Sequence, residues 1–166
     1  MTLLEEKDIR SLRRATNYKS IPFVKLKAVK EQRYRYDPGN QMRVAADVAK
    51  FAYPLFKDMD REQLICINFD NAMQPCAVEL IALGAVNRCG TDIANIFKYA
   101  VLSNALSIIL LHNHPTGSLV PSDDDIEFTK NVYKAGELLG IHLQDHIIMG
   151  DDQQYFSFRD NLSLWD

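Results

Sequence analysis

Hydrophobic residues recur along the chain at two different spacings, and these spacings predict helices and strands. Between residues 41 and 57 apolar side chains recur every three to four positions, which predicts an amphipathic helix. Two runs with the character of strands follow at 62–69 and 77–85, and Asp70 and Asn71 open the turn between them. We therefore expect the helix to pack on a sheet that begins with this hairpin.

The second half of the chain continues the alternation of helices and strands. The apolar run at 107–111 is short enough to be a buried central strand, and Gly140 suits the left-handed position that ends a helix. The order of elements predicts a mixed α/β fold with helices on both sides of a central sheet. The predicted elements are a helix from Thr91 or Asp92 to about 104, a strand at 107–111, a helix at 123–139, and strands at 141–149 and 155–158.

The first 40 residues differ from the rest in charge. Residues 1–36 carry ten Lys or Arg against four acids, a balance of +6, whereas residues 37–166 carry nine against eighteen, a balance of −9. We therefore divide the chain into a basic N-terminal extension, residues 1–40, and one domain, residues 41–166. The pattern within the extension predicts a short helix at 5–15, a basic edge strand at 23–30 and a loop at 37–40.

Several function classes do not suit this composition. No apolar stretch reaches the ~18 residues of a membrane span, and the first residues do not resemble a secretory signal, so we expect a cytoplasmic protein without membrane contact. The spacing of Cys66, Cys76 and Cys89 fits neither a zinc knuckle nor a disulfide framework. We predict that these three residues are reduced and mostly buried thiols.

The string HNHPTGSLVPSDDD, residues 112–125, carries the chemistry. In an extended backbone His112 and His114 point to the same side, so two imidazoles can meet one ion. Asp125 lies in the first turn of the following helix and can add a carboxylate. Two His and one Asp are the three protein ligands of a typical catalytic zinc site, which leaves the fourth position to water.

A structural interpretation of the same string is open as well. Ser122 and Asp125 have the spacing of a capping box, and the acids that begin the helix suit the positive end of its dipole. The cap does not account for the histidines. The pair Asp145 and His146, on a late strand, is interpreted as a structural hydrogen-bonded pair.

The complete spacing, His-x-His, seven residues, Ser, two residues, Asp, resembles the JAMM (JAB1/MPN/Mov34) signature of zinc hydrolases. The segments HNHPTG, PSDDDIEFTK and LLGIHLQDHIIMG resemble those of the bacterial RadC family over about residues 41–158. The resemblance implies a JAB/MPN fold, which is cytidine-deaminase-like, a Zn²⁺ cofactor, and hydrolysis of an amide or isopeptide bond in a protein or peptide substrate.

The resemblance also implies roles for two further residues. The family pattern places a glutamate at the start of the strand beside the histidine strand, where this chain has Glu62; it would act as general acid and base. Glu79 matches that position less well. Ser122 would stabilise the oxyanion that forms when hydroxide attacks a carbonyl.

Two other function classes are alternatives to the zinc hydrolase. Residues 1–36 could contact DNA through phosphates, as in a nucleic-acid binder or a metal-dependent nuclease, or they could form a solvated arm that docks on the acidic domain. The helix-hairpin-helix domain usual in RadC proteins does not fit in 40 residues, which argues against DNA repair. A nucleobase deaminase needs His-x-Glu and Pro-Cys-x-x-Cys, and neither string occurs.

Overall fold

The computed structural model describes residues 21–25, 29, 33–36, 42–57, 59–84 and 93–165. A five-stranded sheet with the order β2-β1-β3-β4-β5 forms the centre of this part of the chain. Strands β3 and β4 are parallel, and every other neighbouring pair is antiparallel. The elements are α1 (Ala45–Phe56), β1 (Gln63–Phe69), β2 (Pro75–Leu83), α2 (Ile93–Leu102), β3 (Ser107–Asn113), α3 (Asp123–Leu139), β4 (His142–Met149), a 3-10 turn (Asp151–Gln153), β5 (Tyr155–Ser157) and α4 (Phe158–Asn161).

Helices cover both faces of the sheet, and each face has its own hydrophobic core. On one face α1 packs against alternate residues of β1, β3 and β4, such as Ile67 and Leu111. On the other face α2 and α3 cover the intervening residues, such as Leu64 and Leu110. The central strands β1 and β3 are buried along their whole length because both of their faces are covered. This arrangement confirms the predicted α/β class.

Most of the predicted elements are present with shifted ends. The helix at 123–139 and its left-handed Gly140 cap are as predicted, because the sequence carries a start and a stop signal there. The turn after β1 is also confirmed, since the Asp70 carboxylate accepts hydrogen bonds from the backbone N–H groups of Ala72 and Gln74. The strand predicted at 155–158 ends one residue early, because Phe158 begins α4 under the Ser157 cap.

The basic edge strand predicted at 23–30 is wrong for the residues that are described. Residues 21–25 and 29 form no strand. Phe23 is 89% exposed and Val24 70% exposed, so the alternation of apolar and basic residues buries neither face of the segment. The helix predicted at 5–15, the loop at 37–40 and the cap at Thr91 or Asp92 lie outside the described residues.

Two smaller findings concern function classes. Among the described residues, no helix combines the length and hydrophobicity that a membrane span requires. Cys66 is a buried free thiol, as predicted, whereas Cys76 is free and exposed; Cys89 is not described. Burial raises the pKa of the Cys66 thiol, which keeps it protonated and unreactive.

Candidate metal centre

Strand β3 is the central strand of the sheet, and its C-terminal end brings two histidines to the same side. His112 is 1% exposed, and the His114 side chain, directly after the strand, is 17% exposed. Because side chains two apart share a face of an extended backbone, both rings turn toward the N-terminus of α3. Their Nε2 atoms lie 3.1 Å apart.

Asp125 approaches the same point from the first turn of α3. The Ser122 hydroxyl accepts a hydrogen bond from the Asp125 N–H (3.1 Å), and Asp125 Oδ2 accepts from the Ser122 N–H (2.8 Å) and hydroxyl (2.6 Å). This capping box holds a carboxylate that is only 2% exposed. Its oxygens lie 3.5 Å from His112 Nε2 (Oδ1) and 3.4 Å from His114 Nε2 (Oδ2).

These separations match the donor spacing of a tetrahedral zinc site. The two Nε2 atoms are 3.1 Å apart, and each lies 3.4 to 3.5 Å from one oxygen of the Asp125 carboxylate, Oδ1 for His112 and Oδ2 for His114. Bonds of 2.0–2.1 Å to a tetrahedral ion place neighbouring donors about 3.3 Å apart. The three side chains can therefore form one face of a tetrahedron, which leaves the fourth corner free for water or substrate. Two imidazoles and one carboxylate are also a donor set that zinc accepts.

Glu62 lies beside this face. One atom from each of Glu62, His112 and His114 falls within 4.8 Å of the others. The backbone around Glu62 is fixed from two sides: its carbonyl accepts from the Gly84 N–H at 2.7 Å, and the Asn113 side chain links its neighbours. Asn113 Oδ1 accepts from the Gln63 N–H at 2.9 Å, and its Nδ2 donates to the Arg61 carbonyl at 3.3 Å.

A hydrogen bond orients the His114 ring, and burial keeps His112 neutral. His114 Nδ1 lies 2.8 Å from the Ser118 carbonyl, which can only accept, so the ring proton belongs on Nδ1 and the Nε2 lone pair faces His112 and Asp125. Burial lowers the pKa of His112 to about 4, with the Asp125 charge raising it and His114 lowering it further. His112 is therefore neutral at pH 7 and can donate a lone pair.

Ser122 was predicted to stabilise an oxyanion, and its hydroxyl hydrogen points to Asp125 in this structure. A substrate oxygen would have to compete with that carboxylate for the hydrogen. The catalytic role of Ser122 stays a prediction. Glu79, the weaker alternative to Glu62, lies within β2, where it is paired with Cys66 on β1, so it is not part of this cluster.

Two polar side chains, His146 and Thr129, make contacts near the cluster that the sequence did not predict. His146 Nε2 lies 2.8 Å from His112 Nδ1, and His146 Nδ1 lies 2.6 Å from the Thr129 hydroxyl. The Asp145 carboxylate bonds to the backbone N–H of His146 and not to its ring. Asp145 and His146 are therefore a structural hydrogen-bonded pair, as predicted, joined through the His146 backbone N–H. The sequence shows only that Asp145 and His146 are adjacent. The contact of His146 with His112 arises from the parallel pairing of β3 with β4.

A cavity of about 150 Å³ opens beside His114, on the side of the strand that faces α1. It is lined by Phe56, Met59, Asn113, His114, Pro115, Gly117, Met149, Gly150 and Asp151. A larger groove of about 1040 Å³ shares Met59 with it and runs along α1 and the edge strand β2. Of the candidate site residues, only His114 lines one of these two cavities.

Comparisons with known proteins agree with this fold. The family described as the RadC-like JAB domain matches residues 42–163. A UPF0758 protein of Carboxydothermus hydrogenoformans is 41% identical over 99 residues, which cover 60% of this chain and 43% of the relative. One from Methanococcoides burtonii is 34% identical over 124 residues, covering 75% of this chain and 54% of the relative.

A UPF0758 protein of Latilactobacillus sakei is 32% identical over 168 residues, covering 98% of this chain and 75% of the relative. The chain spans about half the length of most of the curated relatives that it matches. The matched residues contain the histidine strand, the capped helix and the glutamate position. The chain therefore belongs to the RadC-like JAB domain family, as its motifs predict.

Proposed function

We propose that this chain is a zinc-dependent hydrolase of the JAMM type that cleaves an amide bond in a peptide or protein. The observation that supports this most is the close approach of the two Nε2 atoms of His112 and His114, 3.1 Å apart, to the Asp125 carboxylate at 3.4 to 3.5 Å, with the Glu62 carboxylate next to both histidines. A purely structural metal site has no use for a second carboxylate beside its ligands. A hydrolase needs such a carboxylate, because the attacking water must lose a proton to it.

In this proposal His112, His114 and Asp125 hold the ion. Zinc supplies a Lewis acid that brings the ionisation of water close to neutral pH. Glu62 accepts the proton of the attacking water and passes it to the leaving amine, so no proton is gained or lost over the cycle. Asn113 keeps the Glu62 backbone in place by bonding both of its neighbours. Ser122 turns its hydroxyl from Asp125 to the developing oxyanion.

A polypeptide substrate suits the surface around the site. The cavity beside His114 shares Met59 with the groove along β2, and the outer edge of β2 has no partner strand among the described residues. An extended chain can pair with such an edge through backbone hydrogen bonds. The groove is lined by Phe51, Tyr36 and Tyr99, which could offer apolar and hydroxyl contacts to the side chains of a bound substrate.

The test combines metal content with cleavage. Protein loaded with one equivalent of Zn²⁺ is incubated with a diverse peptide mixture, and new termini are identified by mass spectrometry. Glu62→Gln keeps the shape of the side chain and should bind zinc normally while losing cleavage by at least ~100-fold. Glu127→Gln, on the exposed side of α3, is the matched control and should cleave like the wild type.

The metal site itself is tested by His114→Ala combined with Asp125→Ala. Full zinc occupancy in this double variant would refute the ligand assignment. Cleavage by Glu62→Gln at the wild-type rate would refute the assigned base. No cleavage by the wild type of any peptide, protein or isopeptide-linked substrate would refute the proposed reaction.

The second candidate is a nucleic-acid-associated protein, and the observation that favours it is the +6 balance of residues 1–36. Contacts between this arm and phosphates would give a DNA affinity that falls steeply with salt. Measuring binding of a labelled duplex between 50 and 200 mM salt, with and without residues 1–36, tests this role. No binding at the low salt concentration would exclude it.

A further inference from the structure

A chain of three hydrogen bonds runs from the candidate ligand His112 back to the candidate ligand Asp125. His112 Nδ1 lies 2.8 Å from His146 Nε2, and His146 Nδ1 lies 2.6 Å from the Thr129 hydroxyl oxygen. The Thr129 hydroxyl also lies 2.6 Å from the Asp125 carbonyl oxygen. His112, His146 and Thr129 are at most 1% exposed, so water does not compete for these contacts.

The protons of these hydrogen bonds can be arranged in two directions, and only one of them leaves His112 Nε2 unprotonated and able to bind a metal. The Asp125 carbonyl can only accept, so the Thr129 hydroxyl donates to it. Thr129 then accepts from His146 Nδ1–H, and His146 Nε2, without a proton, accepts from His112 Nδ1–H. His112 Nε2 is left with its lone pair, 3.5 Å from Asp125 Oδ1 and 3.1 Å from His114 Nε2. In the opposite direction, a proton on His112 Nε2 would occupy the place of the ion.

We propose that His146 is a positioning residue of the metal centre, which, oriented by Thr129, selects the His112 tautomer that presents Nε2 to the ion. This inference rests on the proposed metal site and not on the proposed peptidase reaction. His146 and Thr129 do not touch the ion; they act through His112. A ligating imidazole whose second nitrogen is hydrogen-bonded is fixed in orientation and is a better donor.

The packing around His146 supports a positioning role because the ring has little freedom. Its plane stacks on Phe158 with ring centroids 4.7 Å apart and an interplanar angle of 15°. Its backbone N–H donates to Asp145, whose other oxygen accepts from the Ser157 hydroxyl. A ring held this way offers its Nε2 at a fixed point.

The first experiment measures zinc affinity of the metal-free protein by competition with a chelator. His146→Leu removes the acceptor for His112, and we expect zinc binding to weaken roughly 10- to 100-fold. His146→Gln also loses the stack on Phe158 but keeps an acceptor oxygen, and it should restore most of the affinity. Thr129→Val should weaken binding, whereas Thr129→Ser should bind like the wild type.

The second experiment needs no variant. In the zinc-loaded wild type, long-range ¹H–¹⁵N spectra of the histidine rings should show His146 protonated on Nδ1 and unprotonated on Nε2. A proton on His146 Nε2, or equal zinc affinity of His146→Leu and the wild type, overturns the inference while the metal site stands. Absence of zinc binding by the wild type overturns the metal site and the inference together. Failure of peptide cleavage alone affects only the proposed reaction.

Discussion

The substitution Ser122→Ala separates the two roles that Ser122 is proposed to have. In the structure its hydroxyl accepts from the Asp125 N–H at 3.1 Å and donates to Asp125 Oδ2 at 2.6 Å. Alanine removes both bonds, whereas the bond from the Ser122 N–H to the carboxylate is retained. The cap of α3 and the orientation of Asp125 are therefore weakened together.

The expected loss of stability follows from these contacts. Removing an N-cap hydroxyl costs about 1 kcal/mol. Removing the hydroxyl hydrogen bond to the buried Asp125 carboxylate costs roughly another 1 kcal/mol, because Oδ2 keeps its bond from the Ser122 N–H. The free energy of unfolding of zinc-free protein should fall by about 2 kcal/mol, and its Tm by roughly 4–8 °C for a chain of this length.

Urea and thermal unfolding in the presence of a chelator measure this loss, with Ser122→Thr as the control that keeps the hydroxyl. Zinc-loaded protein then reports the catalytic role: loss of an oxyanion donor should lower kcat by about 100- to 1000-fold. An unchanged Tm would refute the capping energetics. An unchanged kcat beside a lowered Tm would refute the oxyanion role and leave Ser122 as a helix cap only.

Three further predictions follow from neighbouring contacts. Asn113→Leu removes the clamp on both neighbours of Glu62, so kcat should fall at least ~10-fold with zinc stoichiometry unchanged; loss of zinc instead would contradict this role. Asn68 is fully buried, and no described residue bonds its side-chain amide, so Asn68→Val should raise the free energy of unfolding by about 1–3 kcal/mol in urea unfolding. Burial lowers the folded pKa of His112 to about 4 from 6.5, so the unfolded state binds more protons between these values. His112 alone should therefore cost zinc-free protein up to about 1.4 kcal/mol per pH unit as pH falls from 6.5 to 4, and the lowered pKa of buried His146 adds a loss of the same sign. A stability that is flat over this range would refute this prediction.

The sequence predicted the elements whose signals are local. The helix from Asp123 to Leu139 has a cap box at one end and a glycine at the other, and both ends are where the pattern puts them. The alternating segment 23–30 has no comparable start and stop signals. Alternating apolar residues favour a strand only when a partner strand and a core are present, and here Phe23 and Val24 are exposed.

The candidate site was predicted only as far as its residues are close in sequence. His112, His114, Ser122 and Asp125 fall within fourteen residues, and their spacing restricts how they can meet. His146 was noticed only as a neighbour of an acid, since its approach to His112 depends on the parallel register of β3 with β4. Registers between strands so far apart in sequence depend on the packing of the whole sheet.

Asp125 shows why the helix-cap and metal-ligand interpretations do not compete. A carboxylate has two oxygens. The cap bonds from Ser122 go to Oδ2, which also lies 3.4 Å from His114 Nε2, and Oδ1 lies 3.5 Å from His112 Nε2. The capping box thereby fixes the carboxylate in one orientation before any ion arrives, so binding requires less loss of side-chain entropy. The same argument applies to His112, whose second nitrogen is held by His146. The fold therefore holds each of these ligands through hydrogen bonds while lone pairs remain for the metal, and weakening those bonds should weaken zinc binding more than it changes the fold.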